Sequence, residues 1–223
     1  MSEFAIFPVV SRMFDQNCWI VHRVGQSNCI VVDPGFDVRR IDAVLTERGL
    51  VPEVLLLTHG HVDHIAGVSH LKRRFPAAPV VIGRGDAPML TDPELNLSGL
   101  GGVAVTAPEA DRLLEDGERV EFAGIEFRVA WIPGHSPGHV VFIHEESSPA
   151  HVVGGDVLFS GSIGRTDFPG GSLPQLLAGI RQHLWPLPDT TVVYPGHGPT
   201  TTIGEEKRTN PYCGQGALDV LAD

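Results

Sequence analysis

Cysteine is scarce in this 223-residue sequence: Cys18, Cys29 and Cys213 are all there are, too few for a disulfide scaffold. Basic residues are also in short supply. Sixteen Lys and Arg face 27 Asp and Glu, a formal net charge of −11. That balance speaks against a broad basic face for nucleic acid or an anionic membrane. No run approaches the roughly 18–20 uninterrupted apolar residues of a membrane-spanning helix. The opening residues Met-Ser-Glu-Phe-Ala-Ile-Phe-Pro lack a basic segment followed by a long apolar core. No export signal is read there, and the expected compartment is the reducing cytoplasm. Repeats, low-complexity tracts and linkers are missing too, while 42% hydrophobic and 19% charged residues make an ordinary globular composition. The expected organisation is one domain over residues 1–223, with a short helical tail from about residue 203.

The first third of the chain reads as short strands. Phe4–Val10, Cys18–Val24 and Cys29–Val32 are rich in β-branched and aromatic residues, and Asp33-Pro34-Gly35 stops the third. Ile41, Val44 and Leu45 before Gly49 predict an amphipathic helix, and Val54–Leu57 a strand buried on both faces. Val62–Phe75 has helical spacing and ends on Lys72-Arg73-Arg74, which suits the helix dipole. Val80–Ile82 reads as a strand and Thr91–Pro108 as the most loop-like stretch, of the kind that forms a lid or insertion. Val120–Phe122, Ile125–Ile132, Val140–Ile143, Val152–Phe159 and Thr191–Tyr194 form a second batch of strands. Helices are expected at Leu173–Leu184 and near Gly204–Thr209.

Against these shortages stand 11 histidines, and they are organised. Thr58-His59-Gly60-His61-Val62-Asp63-His64 follows a buried strand and precedes a helix. A strand-to-helix turn fans four ligand-type side chains in different directions, and Gly60 is expected to leave room beside a metal. Further candidates recur at other strands: His135 in Pro133-Gly134-His135-Ser136-Pro137-Gly138-His139, Asp156 in Gly154-Gly155-Asp156, and His197 in Pro195-Gly196-His197-Gly198. Imidazole mixed with carboxylate suits zinc, iron or manganese rather than calcium or magnesium.

His-x-His-x-Asp-His, then Gly-His, Gly-Asp and a final Gly-His, resembles the metallo-β-lactamase fold superfamily over most of the chain, from about Asp33 to Gly198. The resemblance implies an α/β (α+β) four-layer αββα sandwich. It also implies two divalent metal ions, zinc first and iron or manganese as alternatives. His59, His61 and His135 would hold one ion, Asp63, His64 and His197 the other, and Asp156 would bridge them. His22, His70, His139, His144, His151 and His183 match none of these positions and are read as structural or solvent-facing, with His139 placed to orient the loop around His135. Asp33 is read as pinning the turn beside the site.

Ser160–Gly171, Tyr194–Thr201 and Thr209-Asn210-Pro211-Tyr212 narrow the resemblance to short bacterial type II glyoxalases, the hydroxyacylglutathione hydrolases. Only 223 − 197 = 26 residues follow His197, so the helical C-terminal domain of longer members is largely missing. The implied substrate is a small-molecule glutathione thioester, S-lactoylglutathione or a similar hydroxyacyl form. Asp63 is the catalytic candidate, accepting a hydrogen bond from the attacking hydroxide. Arg165, Lys207 and Arg208 are the candidate contacts to the anionic substrate. Neither Ser136 nor Cys29 is needed as a nucleophile. The main alternative is a mononuclear-iron glutathione persulfide dioxygenase of the same fold, its iron on His59, His135 and Asp156. β-Lactamase, nuclease and non-enzymatic metal-binding readings fit less well.

Overall fold

The computed structural model describes residues 4–215 and 217. Its first sheet runs in chain order: β1 (Phe4–Val10), β2 (Asn17–Arg23), β3 (Asn28–Val32), β4 (Val51–Leu57), β5 (Val80–Gly83) and β6 (Arg112–Leu114). The β1-β2 and β2-β3 pairs are antiparallel, whereas β3 to β6 are parallel. Parallel neighbours need a crossover. It is supplied by α1 (Val38–Arg48) between β3 and β4, and by α2 (Val62–Ile65) and α3 (Val68–Arg74) between β4 and β5.

The second sheet contains β7 (Arg119–Phe122), β8 (Ile125–Trp131), β9 (Val140–His144) and β10 (His151–Gly155). A small hairpin of β11 (Leu158–Phe159) and β12 (Ser162–Ile163) follows β10. After α4 (Leu173–Gly179) and a wider helical turn over Ile180–Leu184, the chain returns as β13 (Val192–Pro195) and β14 (Thr201–Thr202), and α5 (Ile203–Thr209) closes it. The sheet order is β14-β13-β10-β9-β8-β7.

Strand periodicity of two sorts the side chains into three apolar layers. In β3 and β4, Cys29, Val31, Leu55 and Leu57 face Ile41 and Leu45 of α1 and Val68 and Leu71 of α3. Their neighbours Ile30, Val32, Val54 and Leu56 meet Val120, Phe127, Val129 and Phe142 of the other sheet. On that sheet's far side, Ile132, Val141, Ile143 and Val152 pack under Leu176, Leu177, Ile180 and Ile203. The helix–sheet–sheet–helix sandwich expected from the sequence is present. Among the described residues no helix is long and apolar enough to cross a membrane.

Several boundaries differ from the sequence reading. The helix expected over Val62–Phe75 breaks after α2, where the Gly67 N–H leaves the helical pattern and donates to Pro34 O at 2.7 Å. The strand expected over Val152–Phe159 stops at Gly155, so Asp156 stands past the end of β10. β6, β12, β14 and a 3₁₀ segment over Arg84–Leu90 were not legible; three of these are two- or three-residue pieces and the last contains Pro88. Thr91–Pro108 carries no strand and one 3₁₀ turn, Gly99–Gly101, as a loop should.

Strand direction positions the rest. The double antiparallel step β8-β9-β10 makes β8 parallel to β10, and β13 is parallel to β10 as well. The strands preceding His135, Asp156 and His197 therefore all point to one end. Cross-sheet bonds lock that end: Asn17 N donates to Gly196 O, Trp19 Nε1 to Pro195 O and Val140 N to Thr58 O, at 2.7, 2.9 and 2.9 Å. Phe142 lies fully buried between the sheets. Phe142→Ala should cost about 3–5 kcal/mol, read as a lowered urea midpoint with little change in the slope of the transition.

Candidate metal centre

Every candidate ligand sits at the carboxyl end of a strand. Asp33 follows β3, His59 to His64 follow β4, His135 follows β8, Asp156 follows β10 and His197 follows β13. One nitrogen or oxygen from each of His59, His61 and His135 falls within a 4.8 Å span, and the same holds for Asp63, His64 and His197. Asp156 lies between the sets, with Oδ2 3.5 Å from His135 Nε2 and 3.4 Å from His197 Nε2, and Oδ1 3.4 Å from His64 Nε2. Gly196 permits this approach, because a Cβ there would collide with Asp156 Oδ1. Gly60 serves a different purpose from the one expected. A Cβ on it would strike the Met89 side chain, so it makes room for the 3₁₀ segment and not for an ion.

The imidazoles are aimed by the nitrogen they turn away. His135 Nδ1 donates to Arg165 O and His197 Nδ1 to Phe14 O, each at 2.9 Å; His64 Nδ1 donates to Asp33 Oδ2 at 3.0 Å. The Thr58 hydroxyl gives its one proton to Asp33 Oδ2 (2.7 Å), which leaves its lone pairs to accept from His59 Nδ1 (3.0 Å). In all four rings Nε2 is thereby the nitrogen turned toward the centre, the one a metal ion would take once any proton on it is displaced. His61 is turned the other way, with Nδ1 2.9 Å from His135 Nε2. Asp33 also accepts from Thr58 N at 2.8 Å. Its oxygens are filled, so it orients His64 and Thr58 even though it lies close enough to His59 and His64 to form a third cluster. His139 meets the His135 ring edge-on at 6.0 Å between centroids and closes the His135 loop by accepting from Ile132 N at its carbonyl; its Nε2 accepts from Asp156 N at 3.0 Å, and its ring stacks on His59.

Burial and neighbouring imidazoles push the pKa of His59 far down, and that of His61 down to about 3. Burial opposes protonation of His64 too, but Asp156, Asp63 and Asp33 outweigh it and lift the value to about 9. In the same way Asp156 and Asp63 overcome the burial of His197 and raise it to about 11. The carboxylates make a focus of negative potential that attracts cations, protons included. His59 Nε2 and Asp156 Oδ1 are buried there without a hydrogen-bond partner. Such orphans cost about 1–3 kcal/mol each, and a divalent cation would satisfy both. The residues fit the group, and the donor set is of the zinc, iron and manganese type.

A cavity of about 480 Å³ opens above the cluster. Asp63 and His197 are its more accessible members, with side chains 18% and 26% exposed against 4% or less for His64 and His135. Phe14, Val62, Leu97, Leu100, Phe159 and Phe168 supply the apolar wall. Phe14 and Leu97 hold φ of +68° and +70°, a left-handed conformation that costs bulky residues of order 1–3 kcal/mol. Of the three candidate substrate contacts only Arg165 lines the cavity. Its guanidinium is already bidentate with Asp167, at 2.9 and 2.8 Å. Lys207 is turned to Asp189 and to Leu187 O, and Arg208 to Glu205. Nearness to His197 in sequence does not bring either one to the cavity.

Sequence reasoning missed Asp86. Fully buried, it accepts from Ser136 Oγ at 2.5 Å, Gly138 N at 2.6 Å and Gly60 N at 3.2 Å. One carboxylate thus ties the loop of His59 and His61 to the loop of His135. The available signal was its position in Gly83-Arg84-Gly85-Asp86, just past the end of β5 beside the other loops. Asp86→Ala should strand three donors, lowering stability by about 2–4 kcal/mol and zinc affinity about 10–100-fold. Thermal unfolding and chelator competition, run together, measure the two effects.

A profile of the metallo-beta-lactamase superfamily matches residues 12–197. Hydroxyacylglutathione hydrolase GloC of Haemophilus influenzae is 38% identical over 208 residues, covering 93% of this chain and 96% of its own. Among solved structures, the BLEG-1 B3 metallo-beta-lactamase superimposes with a TM-score of 0.87 at 37% identity, over 95% of this chain and 99% of its own. TTHA1623, in a di-iron-bound form, superimposes with a TM-score of 0.82 at 38% identity, over 92% and 99%. With its layers, its strand-end histidines and its match along most of the sequence, the chain belongs to the metallo-beta-lactamase superfamily.

Proposed function

We propose that the chain is a metal-dependent thioester hydrolase of the glyoxalase II type, cleaving S-lactoylglutathione or a similar hydroxyacyl-glutathione. The observation that carries this reading is the doubled cluster beneath an open cavity whose wall offers no hydroxyl, thiol or amine nucleophile. Among the described residues no serine, cysteine or lysine lines it. Ser136 is buried and donates to Asp86, and all three cysteines are buried. Hydrolysis there needs activated water. The similarity to GloC of Haemophilus influenzae supports a glutathione thioester as the substrate class.

His59, His61 and His135 would hold one divalent ion and Asp63, His64 and His197 a second, with Asp156 shared; zinc is our first choice. Bound there, the ions supply a water of near-neutral pKa and a Lewis acid for a carbonyl oxygen. The chain's own part is positioning. Asp63, whose Oδ2 lies 3.2 Å from His197 Nε2, lines the cavity and accepts a hydrogen bond from the attacking water, directing its lone pair at the thioester carbon. The C–O bond forms, the C–S bond breaks, and the water's proton passes by way of Asp63 to the departing sulfur. Acid and free thiol result. The apolar wall excludes other water and strengthens these charge interactions.

A one-iron dioxygenase on His59, His135 and Asp156 would leave His64 and His197 oriented by Asp33 and Phe14 O to no purpose. Zinc-loaded protein should therefore release thiol from S-lactoylglutathione. Asp156→Asn, which removes the charge shared by both halves, should lower kcat/KM about 10²–10³-fold. Asp63→Asn should retain more metal than Asp156→Asn while still losing turnover. Oxygen uptake on glutathione persulfide without thioester cleavage would sink the hydrolase reading; turnover confined to β-lactams would sink it as well.

A further inference from the structure

The cavity wall carries more information about substrate than Arg165 does. Two turns line the cavity, and each presents a bulky apolar residue in a left-handed conformation: Phe14 at φ +68° and Leu97 at φ +70°. Both are held there by their surroundings. The first turn is closed by Ser11 N to Gln16 O (2.7 Å), Met13 N to Ser11 Oγ (3.2 Å) and His197 Nδ1 to Phe14 O. The second is built on buried Asn96. Its Nδ2 donates to Met89 O and Val105 O at 2.9 Å, its Oδ1 accepts from Ser98 N, and its carbonyl accepts from Val62 N.

Neither turn spends its apolar residues on the core. Phe14 is 61% exposed and Leu100 is 76% exposed, yet both line the cavity with Leu97. Strained conformations kept by an over-determined frame are characteristic of ligand clamps. The two ends of the cavity also differ in polarity. Arg165, whose guanidinium is paired with Asp167, and Phe168 flank His135, where a thiol carrier finds a polar ion pair. Phe14 and Phe159 flank His197, and Leu97 follows the residue that binds Val62 N. Beyond the metal-binding cluster and Asn96, whose side chain is taken up by Met89 O and Val105 O, the described residues of that second half offer apolar surface.

We propose that Phe14, Leu97 and Leu100 form an acyl clamp that selects thioesters with an extended alkyl or aryl acyl chain over the short lactoyl group. The proposal rests on the thioester-hydrolase reading and specifies which members of that class the site takes. The acyl chain is covered by the two turns, while the thiol half lies toward Arg165.

The test is a kcat/KM series on zinc-loaded protein with the glutathione thioesters of lactate, 2-hydroxybutyrate, 2-hydroxyhexanoate and 3-phenyllactate. A clamped chain should raise kcat/KM about two- to fourfold per added methylene. Leu97→Asn with Leu100→Ser keeps a residue suited to positive φ and should flatten the series to within about twofold. Phe14→Ala, on the other turn, should reduce the slope independently. Bound zinc and melting temperature are measured on each variant, and the comparison is the long-to-short ratio within one protein, which partial misfolding does not change. Cleavage of the lactate thioester with a flat or falling series, or a slope retained in both variants, overturns the clamp alone. Failure to cleave any of the four overturns the thioester-hydrolase reading beneath it.

Discussion

Two sheets sharing an apolar core can bring polar side chains together only where their strands end. Between β3–β5 and β8–β10 the facing residues are aliphatic or aromatic, and an imidazole placed there would be desolvated without a partner. The parallel run of β3, β4 and β5 meets the parallel set β8, β10 and β13 at one edge. The candidate ligands are concentrated in the loops along it. The bonds from Asn17, Trp19 and Val140 across to the opposite sheet fix the spacing of that edge, and through it the spacing of the cluster. A shift of one strand by one residue would turn its core side chains outward and carry its ligand away.

Within the edge, two buried carboxylates act as organisers and leave the centre to others. Asp33 reaches His64 directly and His59 through Thr58, while Asp86 binds the backbone of the two loops that carry His59, His61 and His135. Asp63 and Asp156 are different, because their oxygens meet mainly imidazole nitrogens. The potential they create holds His64 and His197 well above the ordinary histidine range, so protons and metal cations compete for the same nitrogens. Access is asymmetric as well. Asp63 and His197 are the more exposed members, His61 and His135 reach the cavity with little exposure, and His59 and His64 lie beneath it.

What the sequence made legible follows from how local each signal is. His59 to His64 occupy one turn, and chance seldom sets that many ligand types at a single strand end. His135, Asp156 and His197 were readable because glycine precedes each of them. The order of layers came with the family resemblance, and the apolar runs Cys29–Val32 and Val54–Leu57 and the alternation of β8 agree with it. Asp86 was missed because its task is to join loops distant in sequence, and a single carboxylate does not announce that. The break between α2 and α3 depends on Gly67 meeting Pro34 O, a contact made only after folding. Lys207 and Arg208 were placed by closeness to His197 along the chain, whereas α5 packs through Ile203 beneath the second sheet and its cations serve surface partners.

The proposed chemistry depends on the cluster being a two-ion centre, and metal content per chain tests that most directly. Protein stripped of metal, reloaded with excess zinc and freed of loosely bound ions should hold about two ions per chain by elemental analysis. Changing His64 or His197 to alanine should bring the value to about one. A wild-type content fixed at one ion in excess zinc and in excess iron, unaltered by either substitution, would contradict it.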